Sequence, residues 1–229
     1  MKEVTLRLSL DKDISALRGS ALRKAICREF QDEAIFSQHA PGTGRTISRY
    51  PRIQYRVTAR DGAMIYGIAE GADRIIQGLA KFPESLQIAL RYGEAPEAYR
   101  IRRKMLIEEE IPIEATLAKY ALYRTLTPII LIDARDRKER FDKASAEERA
   151  LLAKKWLTGN IMNALKSLSR TTTAAVDVPY VDLDTIEVRK KGIPMIGLRG
   201  TFAVNVELGN MAVGHYVSCG FGVIGRENA

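Results

Sequence analysis

Apolar and polar positions alternate from the start of the chain: Val4, Leu6, Leu8 and Leu10 are separated by Thr5, Arg7 and Ser9. That is the period of a strand with one buried face. Leu17, Ala21, Leu22, Ala25, Ile26 and Phe30 then recur at helical spacing, which predicts a helix over residues 15–30. Residues 37–48 are polar and contain glycine, hence a loop. Ile53, Tyr55 and Val57 alternate again, and Asp61–Gly62 turns the chain into residues 63–68, the pattern of a hairpin. Residues 69–82 place Ala72, Ile75, Ile76 and Leu79 on one side of a second helix, which Pro83 ends. Further strands are expected at 86–90 and 99–107.

The second half opens with a strand at 116–125 and a short apolar strand at 129–132, followed by a charged connection over 134–142. Ser145 and Glu148 have the spacing of a capping box, and Leu152, Trp156, Leu157, Ile161, Leu165 and Leu168 form the apolar face of the long helix that follows. Extended stretches are expected at 176–181, 186–196 and 198–206, before the glycine-rich segment from Gly209 to Gly222. The first half follows the order strand, helix, strand, strand, helix, strand, which is the ferredoxin-like plan shared by RNA-recognition modules. The expected fold class is therefore α+β, with two tandem ferredoxin-like (RRM-like) domains, residues 1–115 and 116–229. The second is less regular and carries a C-terminal glycine-rich loop.

Composition narrows the partners. Lys and Arg number 36 against 28 Asp and Glu, a net charge of +8. Residues 1–120 hold 20 basic and 16 acidic side chains, so the bias belongs to the whole body and not to a tail. Such an excess favours a polyanionic partner. Cys27 and Cys219 are the two cysteines, which excludes a disulfide framework and CxxC metal spacing. No apolar run reaches a membrane-spanning length, and the first ten residues are unlike a signal peptide. No membrane partner is expected, and the cytoplasm is the expected location.

Five arginines, Arg45, Arg49, Arg52, Arg56 and Arg60, lie between Phe36 and residue 60 with no acidic residue among them. Arg52, Arg56 and Arg60 share a strand parity opposite to Ile53, Tyr55 and Val57, so they are expected on one open face. Guanidinium forks suit phosphate. The competing reading is an ordinary solvated sheet face. His39 lies just before this run, and an imidazole can exchange a proton near neutrality. RNA offers a reaction needing little else: a base takes the 2′-hydroxyl proton, that oxygen attacks the adjacent phosphate, and the leaving 5′-oxygen gains a proton. The segment around Gly214, His215, Gly220 and Gly222 is neither a Walker loop nor a dinucleotide fingerprint. Its glycines would let backbone amides approach an anion, or would simply permit a tight connection. Lys166 and Arg170, four apart, are expected to share a helix face as a further anion contact, or as a solvated face.

Three stretches together resemble the Cas6 family of CRISPR RNA-processing endoribonucleases, in particular its Cas6b-type branch. They are Arg49-Tyr-Pro-Arg-Ile-Gln-Tyr55 with Ile65-Tyr-Gly-Ile-Ala-Glu-Gly71; Leu126-Thr-Pro128 with Gly159-Asn-Ile-Met-Asn-Ala-Leu-Lys166-Ser-Leu168; and Leu198-Arg-Gly200-Thr-Phe202 with Gly214 through Gly222. The resemblance implies cleavage of the CRISPR repeat transcript without a metal or other cofactor, leaving a 2′,3′-cyclic phosphate and a 5′-hydroxyl. It places His39 at the catalytic histidine and the glycine-rich loop on the RNA backbone. The family pattern usually has a lysine after the first loop glycine and often an arginine before the final Gly-aromatic-Gly, where this chain has His215 and Cys219. It also often has two histidines near position 39, where this chain has one. Those departures give His215 a candidate acid–base role. They also motivate an alternative, a catalytically silent RNA-binding subunit of a CRISPR complex. Other effector subunits and a second copy of the chain are further candidate partners.

Overall fold

The computed structural model describes residues 1–15, 17–31, 33–38, 49–91, 93–131, 135–190 and 193–227. The chain divides into two compact units: Met1–Ile111 with Ser218–Gly220, and Pro112–Val217 with Phe221–Ala229. Each is an α+β body built on an antiparallel sheet.

In the first unit the chain runs β1 (Lys2–Leu10), α1 (Gly19–Glu29), the one-turn α2 (Ala34–Ser37), β2 (Ile53–Thr58), β3 (Gly62–Ile68), α3 (Glu70–Gly78), β4 (Ser85–Ile88) and β5 (Glu97–Glu110). The sheet order is β2-β3-β1-β5-β4. Val4, Leu6 and Leu8 point to the helices as their alternation requires, and pack with Leu22, Ala25 and Ile26 of α1 and with Ala72 and Ile75 of α3. The expected hairpin forms, with Ile53 opposite Gly67 and Thr58 opposite Gly62.

Burial corrects the expected arginine face. In β2 both faces are covered: Ile53 and Tyr55 on one side, Gln54 and Arg56 on the other, all at most 4% exposed. An apolar/polar alternation signals one buried face, and it does not require the polar face to be open.

The second unit runs β6 (Thr116–Thr125), α4 (Arg135–Lys143), α5 (Ala146–Ser167), β7 (Tyr180–Lys190), β8 (Ile193–Val206) and β9 (Ile224–Arg226), in sheet order β7-β8-β6-β9. Tyr123 of β6 stacks on Phe202 of β8 with centroids 5.8 Å apart, and Leu157, Ile161 and Leu165 of α5 close the core above them. The capping box is present in full, with Ser145 Oγ accepting from Glu148 N at 3.2 Å and Glu148 Oε2 from Ser145 N at 2.8 Å.

Three expectations for this unit change. Ile129 makes only a single bridge, to Leu198, and Ile129, Ile130 and Leu131 are buried as a packed connection rather than a strand. The charged connection contains α4. Its polar sequence offers one apolar anchor, Phe141, which packs against Trp156 with centroids 5.9 Å apart, so no apolar stripe announces it. Arg149 donates to the carbonyls of Phe141 and Asp142 at 3.0 and 2.8 Å and satisfies that helix end. The expected strand 186–196 is divided between β7 and β8, paired as a hairpin from Tyr180 opposite Ala203 to Lys190 opposite Ile193.

Replacing Ser145 by alanine removes the side-chain half of the box and is expected to lower unfolding stability by about 1 kcal/mol, read as a shift in the urea midpoint at unchanged slope.

Candidate functional site

His39 and Arg45 lie outside the described residues, but the chain leading to them is defined. In α2, Phe36 is buried and stacks on Phe30 at 4.4 Å. Tyr55 Oη donates to the Phe36 carbonyl at 3.0 Å and Cys27 Sγ donates to it at 3.2 Å. Arg23 Nη2 donates to the Ser37 carbonyl. Gln38 then adopts a left-handed conformation, φ 57°, and its side-chain amide donates to the Arg49 carbonyl at 2.8 Å. The residues flanking 39–48 are thereby held to each other.

The arginines do not act as one open array. Arg49 and Arg52 both pair with Glu70 at the start of α3, at 3.0 and 3.6 Å. A window without acidic residues has acquired one through the fold. Burial pulls the Arg52 guanidinium below its ordinary pKa, and Glu70 opposes this. Arg56 is a correction: it is buried, lies over the ring of Tyr66 at 3.8 Å, and donates to Gln54 Oε1 at 2.6 Å. Tyr66 in turn donates to Glu3 Oε1 at 2.5 Å. Gln54 extends the chain of contacts to Tyr50 Oη at 2.8 Å. This network fixes the residue that follows Arg49. Arg60 is exposed in the turn after β2.

Lys166 is exposed near the end of α5, but Arg170 does not share its face. The helix stops at Ser167, Ser169 turns with φ 54°, and Arg170 is buried with Nη1 3.4 Å from Met211 Sδ. Spacing of four places two side chains together only while the helix continues.

The glycine-rich loop is held by its own backbone. Val213 N donates to Gly222 O at 2.8 Å, Gly222 N to Pro128 O at 2.8 Å, and His215 N to Ile130 O at 2.7 Å. Those amides are committed inside the second unit. Gly214 (φ 102°) and Gly222 (φ 67°) need glycine, because an added Cβ would lie 2.7 Å from the Ile130 carbonyl oxygen in the first case and overlap that of Val213 in the second. Gly220 (φ 89°) would meet the Tyr55 carbonyl oxygen at 2.7 Å. Each of the three glycines therefore has a packing reason of its own. His215 is half-buried, its ring 6.3 Å from that of Tyr216, and Lys190 Nζ sits 3.0 Å from the centroid of the Tyr216 ring.

Sequence reasoning passed over Arg23 and Cys27. Both are on α1, off its apolar stripe, and nothing in their spacing marks them. Arg23 Nη1 reaches Cys219 Sγ at 3.6 Å, and Cys27 Sγ lies 3.8 Å from Tyr55 Oη. Burial pushes up the pKa of the Cys27 thiol, and pushes that of Tyr55 far up, so both stay protonated donors at neutral pH. Among the described residues no group of three or more His, Cys, Asp and Glu stands together as a metal site. Among them, too, no helix is long and apolar enough to cross a membrane.

Comparison with known proteins defines the class. Residues 1–104 match the Cas6b N-terminal domain and residues 115–227 the Cas6b C-terminal domain. The chain belongs to the Cas6b family of CRISPR RNA-processing endoribonucleases. A crystal structure of Cas6b superposes with a TM-score of 0.83 at 23% identity, covering 99% of this chain and 100% of that one. A second crystal structure, of the CRISPR RNA processing endoribonuclease Cas6b, gives 0.72 at 22% identity with the same coverage. An uncharacterized protein of Methanocaldococcus jannaschii, MJ0978, is 28% identical over 119 residues, 52% of this chain and 78% of its own length.

Alanine at Gly222 is expected to destabilise the protein without any ligand present, by roughly 1–2 kcal/mol for the left-handed backbone plus the overlap with Val213. Gly159 in α5 faces open space. Alanine there is expected to stabilise by roughly 0.4–1 kcal/mol. Urea unfolding of the two variants side by side checks both signs.

Proposed function

We propose that this chain cleaves CRISPR repeat RNA to mature crRNA by attack of a 2′-hydroxyl on the adjacent phosphate, without a metal. The observation that carries this reading is the match to both Cas6b domains, which together span nearly the whole chain. His39 takes the proton from the 2′-oxygen, the 2′-O–P bond forms and the P–O5′ bond breaks. The 5′-oxygen receives a proton, which leaves a 2′,3′-cyclic phosphate and a 5′-hydroxyl. His215 is the candidate second acid–base group.

Both units read as ferredoxin-like. The order β2-β3-β1-β5 and the order β7-β8-β6-β9 are the same arrangement of second, third, first and last strand. In this reading residues 1–115 carry the catalytic loop, and residues 116–229 carry the RNA-holding loop of Gly214, Gly220 and Gly222. Arg45, Arg49, Arg52 and Lys166 contact phosphates. Arg56 and Arg170, being buried, support the fold beside them instead. The protein works in the cytoplasm on the repeat transcript, and other effector subunits or a second copy of the chain are its candidate protein partners.

The catalytically silent reading is favoured by two departures: His215 stands where the family usually has a lysine, and Cys219 where it often has an arginine. Repeat RNA incubated in EDTA separates the two. Cleavage is expected with the ribose substrate and none with a 2′-deoxy nucleotide at the scissile position. His39→Ala is expected to lose at least about a hundredfold in single-turnover rate, with RNA affinity at fixed salt close to the parent's. Tight binding with no cleavage of either RNA would establish the silent subunit.

A further inference from the structure

Cys27 and Cys219 are the two cysteines of the chain, and the first unit brings both to one face of α1. Gly19, Arg23 and Cys27 follow each other at a spacing of four on that helix and so share a face. Residues 218–220 belong to the same unit and lie against that face. A Cβ on Gly19 would stand 2.6 Å from the Cys219 carbonyl oxygen, and one on Gly220 would stand 3.2 Å from the Gly19 Cα. The Cys219 side chain reaches Arg23, whose Nη1 donates to its sulfur at 3.6 Å. Cys27 is one turn further on. Its thiol donates to the Phe36 carbonyl at 3.2 Å and lies 3.8 Å from the Tyr55 hydroxyl. Arg23 and Tyr55 thus neighbour both sulfurs, and a charge on Cys219 is felt at Cys27. Both thiols are free and half-exposed, within reach of a small oxidant. Neither takes part in the cleavage step proposed above.

We infer that Cys27 and Cys219 form a modification site, a thiol pair that a peroxide closes to a disulfide. Burial keeps the Cys27 thiol protonated, whereas the Cys219 sulfur faces the Arg23 guanidinium, which stabilises negative charge on it as it attacks. Cys219 therefore reacts first. Its sulfur attacks one peroxide oxygen, the O–O bond breaks, and the products are a sulfenic acid and water. The Cys27 sulfur then attacks the Cys219 sulfur, the S–OH bond breaks, and the Cys27 proton leaves with the hydroxide as a second water. Peroxide is reduced and the two thiols are oxidised. A disulfide needs sulfurs about 2 Å apart and Cα atoms within about 7 Å. The guanidinium therefore swings aside and the 218–220 tip moves along α1 as the bond forms. Left-handed residues, Tyr216 and Gly220, flank the one-turn segment Val217–Cys219 and supply the turning points. The bond fastens the tip of the glycine-rich loop to α1, and exchange with a thiol pool reopens it.

The test exposes the reduced chain to hydrogen peroxide at neutral pH without RNA, then blocks the remaining thiols with iodoacetamide. The expected result is the loss of both alkylatable thiols in a monomer lighter by two hydrogens. Peptide mapping is expected to join the Cys27 and Cys219 peptides, and dithiothreitol to restore both thiols. Cys27→Ser is expected to stop at a sulfenic acid on Cys219, which dimedone traps, while Cys219→Ser keeps its thiol over the same period. Melting curves establish that both variants are folded, and the map of the parent chain decides the question even where a variant is unstable. The same treatment in urea isolates what the fold contributes, and the bond is expected to form faster in the native chain. Two thiols still alkylatable in the native chain would overturn the inference. So would disulfide-linked dimers in place of the internal bond, separate oxidation of each cysteine to a sulfinic acid, or equal rates in native and unfolded chains.

Discussion

Close approach of backbone to backbone is the constraint on which the C-terminal third of this chain depends. Gly214 sits against the Ile130 carbonyl and Gly222 against that of Val213. Around them Val213, His215 and Gly222 donate to carbonyls of the loop itself and of the Pro128–Ile130 connection. A Cβ at either site would force the contacting backbone segments apart. In the first unit the same principle recurs at Gly19, where an added Cβ would meet the carbonyl oxygens of Tyr55 and Cys219. The glycines thus build a compact loop first.

The two units solve one topological problem in different ways. Both place their second, third, first and last strands in the same order. In the first unit the third strand is followed by α3, whose Ala72 and Ile75 cover the core. In the second, the chain between β8 and β9 carries four glycines and no helical stripe. There Leu208 and Val213 of this connection are buried in the core. A loop can cover a sheet only if its backbone groups find partners, which is why so many of its amides are internally bonded.

Charge is redistributed by folding in a way that sequence windows hide. Arg49 and Arg52 share Glu70, which lies well outside their own acid-free stretch. Arg56 is removed from solvent and compensated by the Tyr66 ring, the amide oxygen of Gln54 and, through Tyr66, the carboxylate of Glu3. A buried guanidinium is tolerated only with such partners. The network ties β1, β2 and β3 to Tyr50, and so steadies the chain just after residues 39–48. The structure spends this arginine on position, and leaves the exposed Arg60 and the partly paired Arg49 at the surface.

How much could be read without coordinates follows from the range of each interaction. The opening strand, the β2–β3 hairpin, α1 and the capped α5 were legible because apolar periodicity, Asp61–Gly62 and the Ser145/Glu148 spacing are local signals. The family was legible because its motifs keep their order along the chain. Helix α4 was not legible, since it is anchored by a single phenylalanine against Trp156. The end of α5 was not legible either, because Ser169 turns the chain with a left-handed backbone that no periodicity announces. The buried state of Arg56 and Arg170, the capture of Arg49 and Arg52 by Glu70, and the convergence of Arg23, Cys27 and Tyr55 on α2 belong to the tertiary structure alone. Each depends on a partner far along the chain, and sequence spacing carries no information about which distant groups share a desolvated space.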